Sequence, residues 1–287
     1  MTFREMACAH LSEYRKAHLG IDEEGIFFHG GREHRKGHIL PKDSERRNLL
    51  EPYGNAFFLS VHGQVKLHQF FHHLNSSQAL CFNLFYPLLA EGELALLAQS
   101  VGSTIQPPFK PTFEKESELE NAKRRTSFDF HIRDEGHREV FVEVKYTEDG
   151  FGGAKNDEEH QDKFRKTYAP LLQQNEYLKK ECKDRDFFLK NYQILRNMVH
   201  ITPHSEVRFL IPRANTKVAK QAECARDEFL SENGRNKFQI IYLEDLVSHL
   251  IDACQGRKLD GYYQAFCQKY LEFLTKAHPV FPPDTAR

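Results

Sequence analysis

The spacing of apolar positions divides this chain into stretches of different period. In NSSQALCFNLFYPLLAEGELALLAQ (75–99), Ala79, Leu80, Phe82, Leu84 and Phe85 supply an apolar helical surface, and Asn75 or Ser76 can cap it. Pro87 is expected to break or kink this helix, and Glu91 to Gln99 resumes helical character. Residues 101–111 carry three prolines and read as a loop. Beyond it the period falls to two, predicting strands over 112–118, 125–133 and 138–147. A helix-friendly stretch at 157–182, interrupted by Pro170, and a helix at 186–200 follow. Then come a strand at 206–212, a helix at 216–232, a strand at 237–243, helices at 244–253 and 260–276, and a tail, PVFPPDTAR. Residues 1 to about 75, polar and rich in His and Gly, are predicted to be helical and partly irregular. A strand meander followed by β-α-β crossovers implies an α/β protein, a mixed sheet covered by helices on both faces.

The two central strands allow a register argument. Phe128, Phe130 and Ile132 alternate with Asp129, His131 and Arg133, while Val140, Val142 and Val144 alternate with Phe141, Glu143 and Lys145. Both apolar sets must share one face, because a slip of one residue turns a set over. Pairing Phe130 with Val140 satisfies this and requires an odd-length loop. Asp134-Glu135-Gly136 fits, with Gly136 left-handed. Asp129 then lies opposite Phe141 and diagonal to Glu143, about 7–8 Å away at the backbone, with Lys145 further along the same face.

Composition narrows the choices. The 287 residues suit one elaborated domain or two modest ones, and 40 % apolar content with 24 Phe supports a real core. No window approaches the roughly 18 uninterrupted apolar residues of a membrane span, so no membrane partner is expected. The N-terminus has no apolar region of a signal peptide. Six scattered Cys without a CxxC pair read as reduced thiols of a cytoplasmic protein, with little support for a zinc cage. His68 and His72 are spaced to share a helical face, but no HExxH or third ligand accompanies them. A net charge of −1 argues against a generic polyanion-coating protein. Basic clusters remain at Arg32, Arg35 and Lys36, at Arg46 and Arg47, and at Lys123, Arg124 and Arg125; only the last sits beside the candidate chemistry. No GxSxG or GxxxxGK[ST] is present, and Gly150 to Gly153 read as a flexible loop.

Two carboxylates converging on a hard cation leave coordination positions free for phosphate and water. A nearby ammonium can orient the water or neutralise charge in the transition state. The same residues on a surface hairpin would form a plain cross-strand ion pair. On a helix, Gln193, Arg196 and Asn197 share one stripe, which can face the site or solvent.

The run T-S-F-D, thirteen residues, then E-V-K resembles the PD-(D/E)XK nuclease superfamily. The preceding helix SSQALCFNLFYPL and the strand running into YTEDGFG are similar to restriction-endonuclease-like prokaryotic proteins. The resemblance implies a restriction-endonuclease-like αβββαβ core over residues 75–245, with an N-terminal extension at 1–74 and C-terminal helices and tail at 246–287. It implies Asp129, Glu143 and the Val144 carbonyl as ligands of Mg²⁺ or Mn²⁺, Lys145 as the catalytic lysine, and Gln193 facing the site. Relatives often add an acidic residue from the first helix. Here that helix offers Gln78 and Asn83, with Glu91 beyond Pro87, and Glu114 or Glu116 on the first strand are other candidates. Lys123, Arg124, Arg125 and Arg196 are the candidate DNA contacts. The expected activity is metal-dependent cleavage of DNA, restriction- or repair-like, with a homodimer an allowed assembly. The alternative is a nuclease-like fold that binds nucleic acid or protein without cutting.

Overall fold

A computed structural model describes residues 1–100 and 102–277, and the predicted tail at 279–287 lies outside them. The chain divides into two compact units, Met1–Glu91 with Val247–Arg287, and Gly92–Leu246. This division differs from a core beginning at residue 75, because helix Ser77–Ala90 falls in the first unit.

That helix shows why. Ser76 caps it through the Ala79 amide, and every residue from Gln78 to Leu88 is buried. A helix apolar on all sides is enclosed on all sides. Its two amides are consumed locally: Gln78 bonds the His68 amide and the Lys66 carbonyl, and Asn83 bonds the Leu50 amide, the Asn48 carbonyl and Tyr270 Oη. The expected break at Pro87 does not occur, and the helix runs on to Ala90. Proline removes the amide that would reach the Asn83 carbonyl. Tyr262 Oη donates to that carbonyl at 2.8 Å, and Tyr263 Oη donates to the Leu84 carbonyl at 2.9 Å.

The N-terminal region is more regular than its polar sequence suggested. Helix Phe3–Ala17 starts on a reciprocal Thr2/Glu5 capping box. Strands β1 (Gly25–His29) and β2 (Arg32–Lys36) form an unforeseen hairpin through Gly30 and Gly31, at φ 58° and 76°. Two successive left-handed residues are what the tightest hairpin turn demands, and glycine adopts them without steric cost. The buried Arg15 side chain ties the hairpin stem to the helix by donating to the carbonyls of Gly37, Ile21 and Glu23. His68 and His72 lie in a turn-rich segment rather than on a helix, so they do not share a helical face.

The second unit carries the five-stranded mixed sheet, β3 (Lys110–Glu116), β4 (Ser127–Arg133), β5 (Glu139–Val144), β6 (Ser205–Ile211) and β7 (Phe238–Tyr242), in that spatial order. β3, β4 and β5 pair antiparallel, while β5, β6 and β7 pair parallel through helical crossovers. Pro170 does not interrupt the first crossover. It sits in the first turn of Ala169–Gln174, after a wider π-type turn at Phe164–Tyr168, where a missing amide costs little. The expected helix at 186–200 is two, Arg185–Lys190 and Tyr192–Met198, hinged at Asn191. Phe141, Val207, Phe209 and Ile211 pack with Tyr168, Phe188, Leu195 and Ala222 of the crossover helices. That packing brings helix Tyr192–Met198 over the polar positions of β5.

Two stability predictions follow from the first unit. Tyr262→Phe leaves the Asn83 carbonyl buried without a donor and is expected to cost about 1–3 kcal/mol in urea unfolding; an unchanged midpoint would remove this account of Pro87. Burial pushes His38 down to about 4 and His73 down to about 3, from 6.5 when exposed. Their contribution is therefore full above about pH 6.5 and is lost as the pH falls toward 4 and below. The melting temperature should drop over that interval, and the drop should shrink in His38→Asn/His73→Asn.

Candidate active site

The hairpin of β4 and β5 keeps the predicted parity but not the predicted register. Phe130 pairs with Val142, not Val140, and the loop has five residues, Asp134 to Arg138. The left-handed residue is His137 at φ 60°, not Gly136. The Asp134 carboxylate explains the longer loop: it accepts from the Arg138 amide at 2.9 Å and Arg138 Nε at 2.8 Å, folding the turn around itself. A slip of two residues leaves every side chain on its face. The paired register ends at Phe130 and Val142, which leaves Asp129 and Glu143 as the next residues on the two strands.

The ladder ends there because Asp129 takes over its next bond. Asp129 Oδ2 accepts from the Val144 amide at 2.6 Å. On a strand the amide and carbonyl of one residue point to the same edge, so the Val144 carbonyl lies on the Asp129 side. Glu143 Oε1 is held at 2.8 Å from Lys145 Nζ and receives Gln193 Nε2 at 2.9 Å. The Gln193 contact is direct, and its amide and side chain both bond the backbone of Gly152. Glu143 and Lys145 are buried, while Asp129 keeps some exposure. Lys145 Nζ also lies 5.7 Å from the Phe151 ring, which stacks on Phe209.

The segment after Lys145 is braced by residues with no motif to announce them. Asn215 donates to the carbonyls of Tyr146 and Glu148, each at 3.0 Å. Gln221 accepts from the Phe151 amide and lies where a Cβ on Gly150 would stand, 2.5 Å from its Oε1. Gly150 has φ 146°, so both its conformation and its space exclude a side chain.

Burial and the facing Glu143 carboxylate push Asp129 well above the usual carboxylate range. Burial alone would lower Lys145, but Glu143, Glu148 and Asp129 outweigh it and hold the ammonium above its ordinary value. Two carboxylates and a main-chain carbonyl, all hard oxygen donors, suit Mg²⁺ or Mn²⁺ better than zinc. Among the described residues no group of three His, Cys, Asp or Glu converges as a metal cage.

The remaining candidates separate clearly. Glu114, at φ 52°, interrupts the pairing of β3 with β4 between Phe113 and Lys115 and accepts from Ser127 Oγ. Glu116 pairs with Arg125 at 2.6 Å. Lys123 and Arg124 are exposed on the loop before β4, where the Arg124 carbonyl accepts from Lys163. Arg196 packs over the Tyr192 ring near the buried Glu120 instead of standing in solvent. Gln78, Asn83 and Glu91 belong to the first unit, with side chains in bonds described above or, for Glu91, with Tyr53 and Lys258.

The family model described as Restriction Endonuclease associating with ARP matches residues 8–271. The chain belongs to this family. In comparisons with curated proteins and with solved structures, nothing matched. Membership in a restriction-endonuclease family indicates a nuclease, and the match spans both units of the fold.

The charge arrangement of this restriction-endonuclease-family site has a measurable signature. Asp129→Asn keeps an oxygen for the Val144 amide but removes one of two facing charges. Because the folded carboxyl titrates above its unfolded value, wild type loses stability as the pH rises through that range. In EDTA at pH 8, Asp129→Asn should melt at a higher temperature than wild type, with the gap closing toward pH 4. A lower melting temperature at pH 8 would contradict the electrostatic picture.

Proposed function

We propose that the protein is a metal-dependent phosphodiesterase that cleaves DNA, in keeping with the restriction endonucleases for which its family is named. The observation that carries the reading is Asp129 Oδ2 on the Val144 amide at 2.6 Å beside Glu143, whose Oε1 lies 2.8 Å from Lys145 Nζ. Asp129, Glu143 and the Val144 carbonyl would hold Mg²⁺ or Mn²⁺. Bound there, such an ion supplies Lewis-acid stabilisation of the charge that builds on the phosphate.

The rest of the chemistry falls to side chains of this chain. The Lys145 ammonium is kept protonated by its carboxylate neighbours, so it acts as a hydrogen-bond donor to water or phosphate rather than as a base. Gln193 fixes the rotamer of Glu143, since its amide is itself held by the Gly152 backbone. Phe151 shields the ammonium stem from water and strengthens its field. Lys123 and Arg124 stand exposed on the loop leading into β4, placed for phosphate contacts. DNA is the proposed substrate and a homodimer a compatible assembly.

Calorimetric Mn²⁺ titration beside cleavage of plasmid, linear and single-stranded DNA tests this on wild type and three variants. Lys145→Ala should still bind metal while cleavage falls by orders of magnitude. Asp129→Ala and Glu143→Ala should lose both, as each removes a donor oxygen. Cleavage unaffected by EDTA, or Lys145→Ala cutting as fast as wild type, sinks the mechanism. Metal-independent DNA binding without cutting would favour the non-cleaving alternative.

A further inference from the structure

The first unit carries a feature that the nuclease reading does not use. A groove of about 670 Å³ runs beside helix Phe3–Ala17, walled by Phe27, Phe28, Phe70 and His73. Phe28 is 70 % exposed and Phe70 45 % exposed, although burying such rings is ordinarily favourable. The other rings form a continuous aromatic chain. Phe27 stacks on His34 at 5.2 Å and meets His73 edge-on at 5.6 Å, and His73 contacts Phe70 at 4.9 Å. An adjoining recess of about 320 Å³ shares Phe27, Phe28 and Phe70 and adds Lys42 at its edge.

The charged side chains of the groove are Arg4, Glu5 and Lys36. The Glu5 carboxylate is held on the Thr2 amide in the capping box and keeps its charge, so two cations face one anion and the rim is positive on balance. His38 and His73, uncharged at neutral pH because of burial, add polar edges rather than cations.

We infer that this groove binds single-stranded nucleic acid, seating successive bases on the Phe27, Phe28 and Phe70 rings with phosphates at Arg4 and Lys36. Two recesses sharing one aromatic wall suit neighbouring bases of a strand, each of the size expected of a small-ligand cleft. Aromatic platforms beside basic side chains are how proteins hold unpaired bases regardless of sequence. Duplex bases are already stacked on each other and cannot reach these rings. The inference stands apart from the nuclease reading, since it concerns other residues and needs no chemistry.

Fluorescence anisotropy of a labelled twelve-nucleotide single strand in EDTA tests it on the full chain. Wild type should bind the single strand more tightly than the duplex of the same sequence. Phe28→Ala and Phe70→Ala should each weaken binding about ten-fold, the scale of one lost base–ring stack. Phe28→Tyr should restore it, and Lys36→Glu should weaken it and flatten its salt dependence. These side chains are at the surface, so melting curves should match wild type. Binding is read in EDTA, which separates this outcome from any failure of cleavage. Equal affinities for wild type and Phe28→Ala overturn the inference. So does a Phe28→Ala variant that loses self-association but keeps its oligonucleotide affinity, which would assign the surface to a second copy of the chain.

Discussion

Two carboxylates just beyond the last paired residues of an antiparallel hairpin, Glu143 buried and Asp129 partly so, repel one another, and the second unit is organised around that constraint. At an effective dielectric near 20, like charges about 4 Å apart repel by roughly 4 kcal/mol. The fold answers with every positive or donating group at hand. Lys145 lies against Glu143, the Val144 amide is turned onto Asp129, and Gln193 reaches Glu143 from a crossover helix. Even so, burial and Glu143 hold the Asp129 carboxyl well above the usual carboxylate range. Strongly perturbed groups of this kind gather at functional positions.

Holding those groups requires rigidity that the strands alone do not supply. The parallel pairing of β5 with β6 fixes Glu143 beside Phe209, and Phe209 stacks on Phe151, which covers Lys145. Asn215 and Gln221, from beyond β6, then clamp the segment that follows Lys145. The active groups come from one hairpin, but the clamps come from the crossover that returns to the sheet. In the first unit the same rule of satisfied buried polar groups serves stability: Arg15, Asn83 and Tyr262 each close carbonyls or amides that would otherwise be orphaned.

Much of the second unit was legible because strand periodicity is a local property. Alternation in SFDFHIR and EVFVEV assigned each side chain to a face, and the parity of the loop followed from that alone. The strand order's mixed character came from the change of period along the chain. Gln193 was legible through its place in a helical stripe and through the resemblance to the nuclease superfamily. The Gly30-Gly31 turn was present in the sequence as a strong hairpin signal and was passed over in a polar setting.

The residues by themselves determined which groups share a face, the α/β class and the pairing of two acids with a lysine, since these depend on backbone period and residue type. The tertiary structure decided the rest. It moved the register by two residues because Asp134 bonds Arg138 around a longer loop, a side-chain choice that face parity does not constrain. It carried helix Ser77–Ala90 through Pro87 because Tyr262, far along the chain, supplies the missing donor. It also placed that helix in the first unit, where segments distant in sequence satisfy the amides of Gln78 and Asn83. Hydrogen bonds between residues far apart in sequence leave no period behind, so only the folded chain reveals them.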